Sequence, residues 1–213
     1  MSGPSVRAPS RGRYFAVLGH ACLVFSLTEM SRDLTELPTC KRCVLSQTRQ
    51  RVVVGSGPLS PALMVIGEAP GRDEDEGGEP FIGRSGRLLF QLIQEEVGLA
   101  RAECFVTNVV KCRPPGNRDP APAEVAACSH YLEAQVAAVA PAVIVTLGNF
   151  AVRALLGTTD TVTRLRGTSY PYLSTVVVPT FHPSYALRGG GVVVAEIRAD
   201  LVRAKRLLAK PGP

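Results

Sequence analysis

No apolar run in this chain is long enough to cross a membrane. The longest candidate, Tyr14 to Leu27, is interrupted by His20, whereas a spanning helix needs about 20 apolar residues. No small-x-small cleavage site follows it, which argues against a secretory leader. Residues 1–30 are therefore read as an irregular N-terminal extension, with translation from Met30 as an alternative start, and residues 31–210 as the folded domain. Internal repeats and low-complexity runs are absent, which excludes a solenoid. A second close cysteine pair is also missing, so the zinc-ribbon spacing does not occur. Finally, no Lys-Ser/Thr pair ends the one Gly-rich loop, which excludes a P-loop.

What is present suits one α/β domain. The 213 residues are 46% hydrophobic and 20% charged, with a net charge of +6. That is enough chain for a substantial core, and the charge permits a polyanionic partner without requiring one. After a short helix begun at Ser31 or Asp33 and a brief β-rich run at "RQRVVVGSG", four strands are expected at 61–67, 104–112, 142–148 and from 175. Helices are expected at 85–99, 122–140, 149–157 and 194–210. Alternation of this kind predicts an α/β fold of three layers, with a central, mostly parallel, four-stranded sheet flanked by helices. Ligands of such folds sit at the carboxyl ends of the strands, here the loops 68–84, 113–121 and 182–188.

The first of these loops, "GEAPGRDEDEGGEPFIGRSG", is acidic within a basic chain. Glu68 directly follows the strand-ending Gly67, where a carboxylate orients or activates water. Phe81 either plugs the loop onto the core or offers a ring a flat surface to stack on. Asn108, inside an apolar strand, either fixes a loop or presents a donor and an acceptor side by side to a pyrimidine edge. His182 follows the last strand, where an imidazole can donate to a developing anion, and Ser184 and Arg188 are placed to hold a phosphate beside it. Of six cysteines, Cys22 and Cys104 read as structural. Cys40 and Cys43 form the close pair, and Cys112 and Cys128 straddle a Pro-rich loop. An iron–sulfur cluster, a zinc ion and plain burial all remain open for these four on spacing. Their number in a chain of this length and pattern favours a reducing compartment.

Together, "GEAPGRDEDEGGEPFIGRSG", "TNVVKCRPPGNR" and "HPSYALR", with Cys40, Cys43, Cys112 and Cys128, resemble the uracil-DNA glycosylase superfamily, and most closely its iron–sulfur type, family 4. The likeness runs from about Leu34 to Leu208. It implies hydrolytic removal of uracil from DNA, leaving an abasic site, and a structural 4Fe-4S cluster on those four cysteines. Glu68 falls at the water-positioning place, with Ala69 and Pro70 beside it in the substrate-binding turn. Phe81 would stack on the extruded uracil, Asn108 would read its edge, and His182 would stabilise charge on O2. Glu74 and Asn117 would pair to hold two active loops together. The expected enzyme acts on uracil-containing DNA, as a cytoplasmic monomer without a membrane partner.

The sequence departs from the family pattern at Ala186, commonly Leu, and at the short "GGGVV" after Arg188. "RPPGNRDPAPAE" lacks the His carried by relatives that become covalently trapped on uracil DNA. Two other classes compete: a nucleic-acid-binding member of the fold without catalysis, which Glu68, Asn108 and His182 argue against, and a phosphate-handling α/β enzyme, which the loop's carboxylates argue against.

Overall fold

Leu63–Gly67 is buried at every position, so this strand lies between two layers. The structure, a computed structural model, describes residues 13–18, 21–26 and 34–209. Near the N-terminus β1 (Arg13–Leu18) and β2 (Ala21–Ser26) pair as an antiparallel ribbon, where the sequence reads as irregular chain. The rest of the 1–30 extension, and the capping candidates Ser31 and Asp33, lie outside the described residues. The domain then runs β3 (Leu63–Gly67), α1 (Arg72–Gly77), α2 (Arg84–Glu96), β4 (Cys104–Asn108), α3 (Pro122–Val139), β5 (Val143–Leu147), α4 (Gly148–Leu156), α5 (Val162–Leu165), β6 (Tyr170–Tyr172), β7 (Thr175–Thr180) and α6 (Pro183–Leu208).

The sheet has five strands in the order β4-β3-β5-β7-β6, all parallel except β6. The four expected strands all form. The fifth, β6, is three residues at the sheet edge with Pro171 in the middle, and so carries almost no strand pattern. The run at 51–57 forms no strand of its own. It lies along the outer edge of β4, with backbone bonds from Val53 N–H to Lys111 O and between Ser56 and Val106 in both directions.

Alternate side chains of the buried strands divide the core. Leu63, Val65, Val106 and Val145 face Leu89, Leu92 and Ile93 of α2 and Ile197 and Leu201 of α6. Met64, Ile66, Phe105 and Ile144 face Tyr131, Leu132 and Val136 of α3 and Ala151 and Leu155 of α4. Burial of these apolar surfaces on both sides is what makes the three layers.

The chain leaves β3 for β4 on one side and later reaches β5 on the other. A crevice therefore opens at the carboxyl ends of these strands, the usual switch-point site. Register sets its floor: Gly67 lies opposite Asn108, and Leu147 opposite Thr180.

Two expected loops prove to be helical. The acidic segment contains α1, whose first turn holds Asp73, Glu74 and Asp75, where carboxylates complement the helix dipole. The segment after β7 is the start of α6, which His182 caps and which breaks at Gly190 (φ 70°, ψ −159°).

Candidate active site

Glu68, Ala69, Pro70, Phe81, Asn108, His182 and Ser184 line one cavity of about 230 Å³, together with Glu74 and Asn117. It shares Glu68 and His182 with a second cavity of about 400 Å³, which adds Arg188, Asp119 and Tyr185. Every non-cysteine position expected to bind or act on substrate is thus brought to one crevice.

The floor depends on the absence of a side chain at Gly67. A Cβ there would stand 2.4 Å from Phe81 Cζ and 2.4 Å from Asn108 Oδ1. Phe81 is buried, at a left-handed φ of 56°, unfavourable for an aromatic residue. Its surroundings hold it there. Arg101 Nη2 donates to Pro80 O at 2.6 Å, and Gly83 N–H donates to Glu74 Oε1 at 2.8 Å. Gly86 lies so close that a Cβ would meet Phe81 O at 1.8 Å. The ring stands 5.9 Å from that of His182, centroid to centroid.

Asn108 is 1% exposed, and its Oδ1 finds no hydrogen-bond donor among the described residues. A buried carbonyl oxygen without a donor is costly, so it points to a ligand N–H.

His182 has a defined tautomer. Ser184 N–H donates to its Nδ1 at 3.2 Å, and the Ser184 hydroxyl lies 2.8 Å from the same nitrogen. A backbone N–H can only donate, so Nδ1 accepts and the proton of the neutral ring sits on Nε2. Burial, with the nearby Arg188 charge, pulls the imidazole pKa down to about 4, leaving it neutral at physiological pH. Ser184 is thereby engaged in orienting His182.

Burial, and then the charge of Asp119, push Glu68 up to about 7. Its backbone carbonyl is fixed by Val110 N–H at 3.0 Å. Asp119 faces the same cavity and escapes sequence reading because it sits in a Pro-rich loop among other charges.

The expected pair of Glu74 and Asn117 does not form. Glu74 instead accepts from Gly71 N–H at 3.0 Å and Gly83 N–H, bridging the two ends of its own loop. Asn117 Oδ1 accepts from Arg113 Nε at 2.7 Å. Two backbone donors inside the loop satisfy the carboxylate before Asn117 can reach it.

None of the four cysteines lines either cavity. Cys112 and Cys128 are buried, Cys40 and Cys43 partly so, and all four are free thiols. Cys112 interacts electrostatically with Cys128 and Cys43, and Cys128 with Cys40 and Cys43, which places the four in one neighbourhood. Burial pushes the Cys112 thiol up to about 12, against the pull of Arg49, whose Nη1 donates to its sulfur at 3.4 Å. Arg49 Nη2 also holds Cys40 O at 2.5 Å. Among the described residues no three His, Cys, Asp or Glu side chains converge on a single ion. Four thiols in one neighbourhood but not around one point, with a guanidinium to offset their charge, fit a cluster with one thiolate per iron.

Residues 54–201 match the family model described as the uracil DNA glycosylase superfamily. The chain is 43% identical over 176 residues to a type-4 uracil-DNA glycosylase of Thermotoga maritima, covering 81% of this chain and 91% of the relative. It is 44% identical over 160 residues to that of Sulfurisphaera tokodaii, with 71% and 73% covered. Against that of Archaeoglobus fulgidus it is 41% identical over 160 residues, with 71% and 80% covered. A family match across most of the domain, with relatives this similar over most of their length, means that the chain belongs to the uracil-DNA glycosylase superfamily, among its type-4 members.

Proposed function

We propose that this chain excises uracil from DNA by hydrolysing the N-glycosidic bond, leaving an abasic site, and that it acts as a monomer in the cytoplasm. The observation that carries the reading is the donorless Asn108 Oδ1, buried in the cavity that Phe81 and His182 also line. Uracil presents an N3–H donor flanked by two carbonyl acceptors. An amide offers the complementary acceptor and donor, whereas cytosine presents an acceptor at N3. The nucleotide must leave the stack to reach this cavity.

Within it, the Phe81 ring stacks on the base and Asn108 reads its edge, with Ala69 and Pro70 closing the turn beside it. As the glycosidic bond breaks, its electron pair stays on the uracil and charge gathers on O2. The Nε2–H of the neutral His182 donates to that oxygen, and helps most in the transition state. The sugar becomes cationic, and Glu68 faces it while orienting the attacking water. Arg188, exposed at the rim, holds a backbone phosphate. Cys40, Cys43, Cys112 and Cys128 would hold a 4Fe-4S cluster, whose contribution is structural, tying the 40–43 segment to the end of β4 and to α3.

Reaction in water enriched in heavy oxygen tests the hydrolysis. The label is expected in the abasic sugar and not in the released uracil. Label in the uracil, or no free uracil, contradicts the reading.

A further inference from the structure

Lys111 is 1% exposed, between the buried Val110 and Cys112. Its ammonium has three N–H groups and three acceptors: Thr107 Oγ1 at 2.8 Å, Gln135 Oε1 at 2.7 Å and the backbone carbonyl of Asn108 at 2.5 Å. The network closes behind it, since the Thr107 hydroxyl and Gln135 Nε2 both reach Val54 O, at 3.1 and 2.6 Å. Every donor of the ammonium is therefore used, whereas a neutral amine would have only two.

The hydrogen bonds are complete, but among the described residues no carboxylate pairs with the charge. Cys128 and Cys112 lie near enough to interact electrostatically with Lys111. Cys112 is the next residue, and Gln135 lies on α3, the helix that carries Cys128. The same short segment holds the crevice. Val109 N–H donates to Gly67 O at 2.9 Å and Val110 N–H to Glu68 O at 3.0 Å. Asn108, three residues before Lys111, carries the donorless amide oxygen.

We propose that Lys111 is a positioning residue that couples the four-cysteine site to base reading, its ammonium tying α3, which carries Cys128, to the Asn108 carbonyl at the end of β4. The inference rests on the functional reading above. It gives the cysteine site a direct line to the crevice, through one side chain and four residues of backbone.

Lys111→Met keeps the aliphatic stem and removes the ammonium. Iron content, melting temperature, single-turnover excision, inhibition by free uracil, and affinity for an abasic-site duplex would be measured on the purified holoprotein. We expect excision and uracil affinity to fall by about tenfold to a hundredfold, the scale of a misplaced reacting group. Duplex affinity should stay within about twofold, because the phosphate contacts lie elsewhere. Unchanged excision and uracil affinity in an iron-containing variant would overturn the coupling. If Lys111→Met does not fold, Gln135→Met decides. It leaves the ammonium one acceptor short, so weakened uracil affinity supports the proposal and unchanged affinity overturns it. A wild-type protein that neither excises uracil nor is inhibited by it overturns the functional reading itself, a result separate from any difference between variants.

Discussion

At Asn108 one buried amide oxygen is donorless among the described residues, and on the proposed reading it selects the base. Replacement by Asp substitutes a carboxylate for the amide and removes its N–H donor. We expect Asn108→Asp to lose or redirect base preference, read as excision of uracil against cytosine and thymine in matched oligonucleotides. An unchanged preference contradicts edge reading. On the same reading His182 gives one donor to a developing anion, so His182→Ala should slow single-turnover excision by about two to three orders of magnitude. The pH dependence separates the two titrating groups. Glu68 has a raised pKa, so its carboxylate exists above about 7 and is lost as pH falls through that value. His182 stays neutral down to about 4. Excision should therefore rise with pH to a plateau above about 7, and Glu68→Gln should be slow with that limb removed. A limb near 6.5 that survives in Glu68→Gln would assign the titration to an ordinary histidine instead.

At the scale of elements, the acidic segment after β3 shows where sequence reading succeeds and fails. Its position at the strand end, and the part played by Glu68 and Phe81 in lining the crevice, are legible because apolar β3 announces itself. The helix α1 within it is not legible, because six residues of "RDEDEG" carry no apolar periodicity. The role of Glu74 follows from that hidden helix: its carboxylate joins Gly71 to Gly83 and so shapes the turn that carries Phe81. Glu74→Ala leaves two backbone donors without their acceptor. The expected cost is about 1–3 kcal/mol, seen as a lower melting temperature together with weaker inhibition by free uracil. A loss of stability with intact uracil affinity would show that the loop does not position Phe81. The extension of α6 back to Pro183 was equally hidden, since three glycines interrupt its pattern, yet it is this helix start that orients His182 through Ser184 N–H. The edge strand β6 leaves no signal because it is three residues long with Pro171 in the middle.

Across the whole molecule, the parallel core was legible because its strands are continuous apolar runs, buried on both faces. The crevice was legible because the motif residues sit where those strands end. Lys111 was not. A lysine beside a cysteine in "TNVVKC" looks like the solvent-facing end of a strand, and only the packing of α3 against β4, which brings Gln135 to it, reveals its burial. The cysteines were legible as a set of four, while their joint neighbourhood needed the fold. Purified protein should be brown and contain iron, and Cys128→Ser should lose iron and melt at a lower temperature. Colourless, iron-free and fully active wild-type protein would remove the cluster from the account.

The most direct test of the central claim is incubation with an oligonucleotide carrying a single uracil, followed by alkaline cleavage. The account predicts a strand break at the uracil position that appears only after alkali, and none in the matched thymine oligonucleotide. An intact strand after alkali, from iron-containing and folded protein, would contradict it.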